Sequence, residues 1–304
     1  MKELLADVLG GEITNLRRLS GGASRETWAF ELDGDALIVQ QERNGALRTG
    51  GGMRSEARLL QAAAAVGVPV PRVRYDGTDS ERPFIVSEVV EGETIARKIL
   101  RDDQWAPVLP RLAAQCGAAL AAVHRIPVDA APELEYQDPI TQWREALDLL
   151  GEPHPAFELG FRWLEQHRPP TVRVGVVHGD FRLGNLIIGP DGLRAVLDWE
   201  IAHLGDQRED LGWLCVKAWR FGARAPVGGF GEYRDLLDAY SQAAGVEVDP
   251  EAVHWWEVMG TLKWGVMCIM QAATHLNGFS RSVELAAIGR RVCENEHDLL
   301  ALLP

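Results

Sequence analysis

Near Gly92 the chain changes from a strand pattern to a helix pattern, and that change limits the folds open to it. Before it, Ile13 to Leu19, Glu26 to Leu32 and Ala36 to Gln41 are short runs rich in branched or aromatic residues, broken by Gly-Gly and Asp-Gly turns. Arg54 to Val66 has the spacing of a helix, stopped by Gly67 and by Pro69 just beyond. Arg72 to Tyr75 and Pro83 to Val90 add two more strand-like runs. After Gly92 the runs lengthen. Asp102-Asp103 caps a helix expected to reach about His124, with Leu109, Leu112, Cys116, Leu120 and Val123 at helical spacing. Further helices are predicted near residues 139–150, 155–166, 208–219, 233–244, 251–275 and 281–302. The pattern predicts an α+β protein, with a small β-rich unit over residues 1–90 and a larger, mainly helical unit over residues 91–304.

One island interrupts the helices. VGVVHGDFRLGNLIIGPDGLRAVLDWE holds three short strand-like runs joined by polar turns. Asp180 falls in a loop after Val174–Val177, Asn185 opens the next run, and Asp198 ends the third. A hairpin formed by the last two runs would bring Asn185 and Asp198 side by side. An amide oxygen beside a carboxylate is hard oxygen ligation suited to Mg²⁺, which takes the rest of its shell from water and phosphates. Asp180 is then placed to orient a hydroxyl and accept its proton, the layout that phosphoryl transfer requires. Asp and Asn also serve as plain turn caps, the bland alternative for each residue taken alone.

Composition narrows the partners. The 304 residues carry a formal net charge of −13, which disfavours phosphate backbones and anionic lipid surfaces. No nucleic acid and no membrane partner is therefore expected. MKELLADVLGGEI lacks the basic and apolar blocks of a secretory signal, and the apolar stretch from Thr261 to His275 is interrupted by Lys263 and reads as a buried helix. Cys116, Cys215, Cys268 and Cys293 stand far apart, as reduced thiols of a cytoplasmic protein would.

GGASRETW, HGDFRLGN and LDWE…HLGDQREDLGWL together resemble the aminoglycoside phosphotransferase superfamily, small-molecule kinases with the protein-kinase-like bilobal fold. Within it, the motifs are most similar to the kinase-like domain fused to acyl-CoA dehydrogenases. The resemblance implies ATP, or another nucleoside triphosphate, and Mg²⁺ as cofactors. It implies Asp180 and Arg182 as catalytic residues, with Asn185 and Asp198 on the metal. It further implies that Gly21, Gly22 and Ser24 cover phosphates, that Glu56 pairs with a strand cation, and that Glu88 and Val89 meet the adenine where the lobes join. His178 is expected to brace the loop rather than bind metal with Asp180, Asp198 and His203, and Asp210 to tie its helix to the loop.

The sequence departs from that pattern at one point. Where such kinases carry a Lys or Arg for the nucleotide phosphates, Leu37-Ile38-Val39 is followed by Gln40 and Gln41. Arg43 is the nearest cation, and Arg182 is expected to take much of the charge work. The expected activity is phosphorylation of a hydroxyl on a small molecule, with a hydroxyacyl-CoA favoured as acceptor. An aminoglycoside-type kinase, a nucleotide-binding scaffold without turnover and a metal-dependent hydrolase are the alternatives. A subset of the tryptophans Trp143, Trp163, Trp213, Trp219, Trp255, Trp256 and Trp264 is expected to wall the acceptor pocket.

Overall fold

A computed structural model describes residues 1–19, 25–42, 51–170 and 173–304. The first third is a five-stranded antiparallel sheet of order β1-β2-β3-β5-β4, made of β1 (Ile13–Arg18), β2 (Arg25–Leu32), β3 (Asp35–Glu42), β4 (Val73–Asp76) and β5 (Phe84–Glu88). Asp33 and Gly34 both have positive φ between β2 and β3, the two-residue turn whose twist matches that of a hairpin. Alternation decides the two faces. Phe30, Leu37, Val39, Phe84 and Val86 turn to one side and bury themselves with Leu5 of a short helix, α1 (Lys2–Leu9). Helix α2 (Gly52–Ala65) lies on the other side, where Met53 and Ala57 pack on Ile85.

The rest is mostly helical: α3 (Ala96–Arg101), α4 (Leu109–Val123), α5 (Pro139–Leu150), α6 (Pro155–Gln166), α7 (Arg208–Cys215), α8 (Tyr233–Ala244), α9 (Pro250–Leu276), α10 (Val283–Gly289) and α11 (Val292–Leu302). Two small antiparallel ladders sit among them. One pairs β6 (Val174–Val177) with β9 (His203–Asp206), and the other is the hairpin of β7 (Leu186–Gly189) and β8 (Gly192–Val196). Helix α9 is buried on several sides, as a helix apolar around most of its circumference must be. At Gly212 an added Cβ would stand 2.5 Å from the backbone of Trp256, so the glycine lets α7 and α9 touch main chain to main chain.

The halves share a core: Leu59, Leu60 and Ala63 of α2 pack in one cluster with Leu112 and Leu120 of α4 and with Phe181 and Trp199 around the central island. A bridge between Glu93 and Ile188 also ties the segment after the sheet to the hairpin. Three predicted helices come out divided. The stretch capped by Asp102-Asp103 is a 3-10 turn (Asp103–Trp105) before α4 begins at Leu109. Residues 208–219 break at Val216, and residues 281–302 break between Gly289 and Val292. Helices α1 and α3 and strand β9 had no expectation behind them. Among the described residues no helix is long and apolar enough to cross a membrane.

Candidate active site

The chain leaves β6 at Val177 and turns sharply at His178-Gly179-Asp180. Gly179 has φ +81°, and a Cβ there would lie 2.8 Å from the Ile201 carbonyl oxygen, so only glycine fits. His178 is fully buried; its Nδ1 accepts the Asp180 N–H at 3.2 Å and its Nε2 donates to the Leu197 carbonyl at 3.1 Å. One nitrogen accepts and the other donates, so the ring is neutral, and burial holds its pKa below the usual histidine range. It braces the loop. Asp210 of α7 accepts the N–H groups of His178 (2.8 Å) and Gly179 (2.9 Å), and His124 Nε2 reaches it at 3.1 Å. Burial pushes the Asp210 carboxyl up, but the His124 bond and its other partners overcome that and hold it below the ordinary range.

The loop presents Asp180 to four donors. Arg182 grips both oxygens, Nε to Oδ1 at 2.8 Å and a terminal nitrogen to Oδ2 at 3.1 Å. Asn185 Nδ2 donates to Oδ2 at 2.6 Å, and Trp213 Nε1 donates to Oδ1 at 3.0 Å. The Arg182 guanidinium also stacks 4.5 Å over Trp219, which packs in turn on Trp213 and Trp264. Trp213 thus touches Asp180, a role that sequence reasoning did not single out among the tryptophans.

Asn185 and Asp198 stand at the same end of the β7–β8 hairpin, because Leu186 pairs with Val196 and the Leu197 N–H donates to the Asn185 carbonyl at 2.8 Å. With its Nδ2 committed to Asp180, Asn185 has its Oδ1 as acceptor. Asp198 has φ +63°, a strained conformation for a non-glycine residue and one that recurs at functional sites. Its side chain is open to solvent but crowded, and desolvation, then Glu200 and Asp180, push its carboxyl above the usual range. Oxygen donors beside an excess of negative charge fit a hard divalent cation. Among the described residues no group of three or more His, Cys, Asp or Glu side chains converges on a metal position, so any ion here draws most of its shell from elsewhere. His203 does not join Asp180 and Asp198; it binds Glu209 instead.

On the sheet side, Gln40 pairs with Thr27 and with Ile85, which places it on the α2 face. Gln41 turns the opposite way, is buried, and donates to the Arg82 carbonyl at 3.4 Å. Glu56 is buried on α2, but its partner is Arg25 of β2, in a salt bridge, and not a residue of β3. Arg25 Nε also stands 3.5 Å from Glu200. Burial raises the Glu56 carboxyl more than Arg25 lowers it. For Arg25, burial works against the charge, yet Glu56 and the other carboxylates hold its pKa above the ordinary value. At the end of β5 the N–H groups of Glu88 and Val89 donate to the carbonyls of Arg72 and Ala36. Gly21, Gly22, Ser24 and Arg43 lie outside the described residues.

Behind the loop lies a cavity of about 520 Å³ walled by Trp143, Trp255, Trp256, His203, Glu209 and Lys263. Asp180, Arg182, Asn185 and Asp198 do not line it. It meets the loop through Lys263, which donates to the Gly179 carbonyl (3.2 Å) and to Glu209 (3.0 Å) and sits 4.5 Å over the Trp213 ring. The lysine that interrupts an apolar run in sequence is therefore a buried strut between α9 and the loop. Burial would raise Glu209, but Lys263 and His203 pull it down to about 2.

The family model described as "Phosphotransferase enzyme family" matches residues 15–256. Acyl-CoA dehydrogenase family member 10 of Mus musculus is 29% identical over 241 residues, covering 71% of this chain and 22% of that protein, so the chain spans under a quarter of this relative's length. A crystal structure from Ralstonia eutropha, described as that of a candidate aminoglycoside phosphotransferase, superposes with a TM-score of 0.77 at 21% identity, over 99% of this chain and 96% of that one. Spectinomycin phosphotransferase in complex with ADP and spectinomycin gives 0.70 at 14% identity, again over 99% and 96%. The fold is the bilobal kinase-like one.

Proposed function

The chain belongs to the phosphotransferase enzyme family, and on that footing we propose that it moves the γ-phosphoryl group of ATP to a hydroxyl on a small molecule. The observation that supports this best is the constellation around Asp180: a carboxylate at a strand end, held by Arg182 and Asn185, with Asp198 across the hairpin. Asn185 Oδ1 and the Asp198 carboxylate would hold Mg²⁺, which supplies charge neutralisation at the nucleotide phosphates when bound. Asp180 orients the acceptor hydroxyl and takes its proton; the oxygen bonds to the γ-phosphorus as the bond to the β-phosphate oxygen breaks, and ADP departs. Arg182 serves the transferring phosphoryl group once it leaves Asp180.

The cavity walled by Trp143, Trp255 and Trp256 offers an apolar lodging beside the loop, which suits an acyl or ring portion of the acceptor. Similarity to an acyl-CoA dehydrogenase relative favours a hydroxyacyl-CoA, and an aminoglycoside-like acceptor is the alternative drawn from the other neighbours. A screen of hydroxylated metabolites, acyl-CoAs included, for ATP- and Mg²⁺-dependent mass gain tests the proposal. A phosphorylated product formed by wild type and not by Asp180→Asn supports it, and hydrolysis of ATP indifferent to every acceptor speaks against it.

A further inference from the structure

Phosphoryl transfer depends on cations that offset nucleotide charge, and β3 offers none on its cleft face, where Ile38, Gln40 and Glu42 alternate. The chain has no lysine between Lys2 and Lys98, so any cation from the sheet must be an arginine. Resting on the phosphotransfer reading above, we propose that Arg25 of β2 is the phosphate-binding cation of the sheet, moved one strand over from the place Gln40 occupies.

The register supports the move. Arg25 pairs with Glu42 and Thr27 with Gln40, so Arg25 and Gln40 share a face and lie diagonally across neighbouring strands, within reach of a long side chain. Arg25 points inward: its side chain is 11% exposed, and it holds Glu56 of α2 as a strand cation holds a helix glutamate. Its Nε stands 3.5 Å from Glu200 and it feels the charge of Asp198, so it stands between the sheet and the Asp198 end of the hairpin. A guanidinium has five N–H donors in a rigid fork, which lets one side chain keep a carboxylate and still meet a phosphate oxygen.

Calorimetric titration of the full chain with ATP and Mg²⁺, paired with thermal melts, tests this. Arg25→Gln should weaken nucleotide binding about tenfold or more, as loss of a charge-assisted hydrogen bond does. That variant leaves Glu56 buried without its partner, so Arg25→Gln/Glu56→Gln separates the roles. If Arg25 meets phosphate, the double variant regains thermal stability while its affinity stays weak. Arg25→Gln/Gln40→Lys should regain most of the affinity, since it returns a cation to the same face. Wild-type affinity in Arg25→Gln/Glu56→Gln would overturn the assignment and leave Arg25 as a structural ion pair only. Failure of Gln40→Lys to restore binding would overturn the relocation. A wild-type protein that binds no nucleotide would instead remove the phosphotransfer reading, and Arg25's role with it.

Discussion

Arg182 lies flat against Asp180, with one guanidinium nitrogen on each carboxylate oxygen at 2.8 and 3.1 Å. With Asn185 and Trp213 also donating, the carboxylate is fully engaged, and an acceptor hydroxyl needs one donor to withdraw. Trp213 and Asn185 are buried, whereas the Arg182 side chain is 24% exposed and rests on the Trp219 face. On the proposed reading, Arg182 is the donor that leaves, and a phosphate group gives it a reason to do so.

Replacing Asp180 by Asn keeps the shape of the side chain and removes the proposed proton acceptor. Transfer should fall about a hundredfold or more while folding and nucleotide binding persist. Single-turnover assays beside ATP titrations check this, and near-normal turnover would take Asp180 out of the chemistry.

Trp213→Phe keeps an aromatic ring and deletes one N–H bond to Asp180 Oδ1. We expect kcat to drop on the order of tenfold, with KM for nucleotide and acceptor little changed, because the bond serves the orientation of Asp180. Trp264→Phe is the control, since among the described residues its buried Nε1 has no hydrogen-bond partner, and in the aromatic cluster it packs on Trp219. Equal kinetic losses in both variants would point to packing alone.

If Asp198 holds Mg²⁺ as proposed, Asp198→Ala should weaken nucleotide binding far more in the presence of Mg²⁺ than in its absence, because its carboxylate would act on the nucleotide through the ion. Titration calorimetry with and without Mg²⁺ distinguishes that outcome from equal losses, which would assign Asp198 to folding.

His203 bonds two acceptors, the Ile201 carbonyl at 3.0 Å and Glu209 at 3.1 Å, so both ring nitrogens carry protons. Burial pulls its pKa down, but Glu209 outweighs burial and raises it above 6.5. A raised histidine stabilises the fold fully below its unfolded value and ceases to do so as pH climbs through the folded one. Glu209, depressed to about 2, contributes fully above its unfolded value of 4.5 and loses that contribution on acidification. The stabilising increment of this pair should therefore be largest between pH 4.5 and 6.5. Melting wild type beside His203→Gln across that range and above it measures the increment; a difference in Tm that does not shrink on the alkaline side would contradict the pairing.

What was legible in the sequence was what is local. His178, Asp180, Asn185 and Asp198 fall within one short hairpin-bearing segment, so spacing alone brought them together. Alternation likewise placed Gln40 and Gln41 on opposite faces of β3. Arg25 with Glu56, Trp213 with Asp180, and Lys263 with Gly179 join residues distant in sequence, and no periodicity records such pairings. The nearest signal was Lys263 itself, a charge set in an otherwise apolar helix, which in a buried position demands a partner. Strand β9 was hidden because His-Leu-Gly-Asp neither alternates nor favours extension; its pairing with β6 makes it a strand.

Asp210 grips the amides of two successive residues, His178 and Gly179, from the interior. Consecutive N–H groups pointing at one spot are how backbones bind phosphate or halide from solution. Here the position is taken by a permanent internal anion, so the turn before Asp180 is settled when the chain folds and ligand binding has no ordering cost to meet there. Those two amides should accordingly exchange their hydrogens as slowly with the cleft empty as with it full, and the motion that accompanies catalysis must be sought in other parts of the molecule.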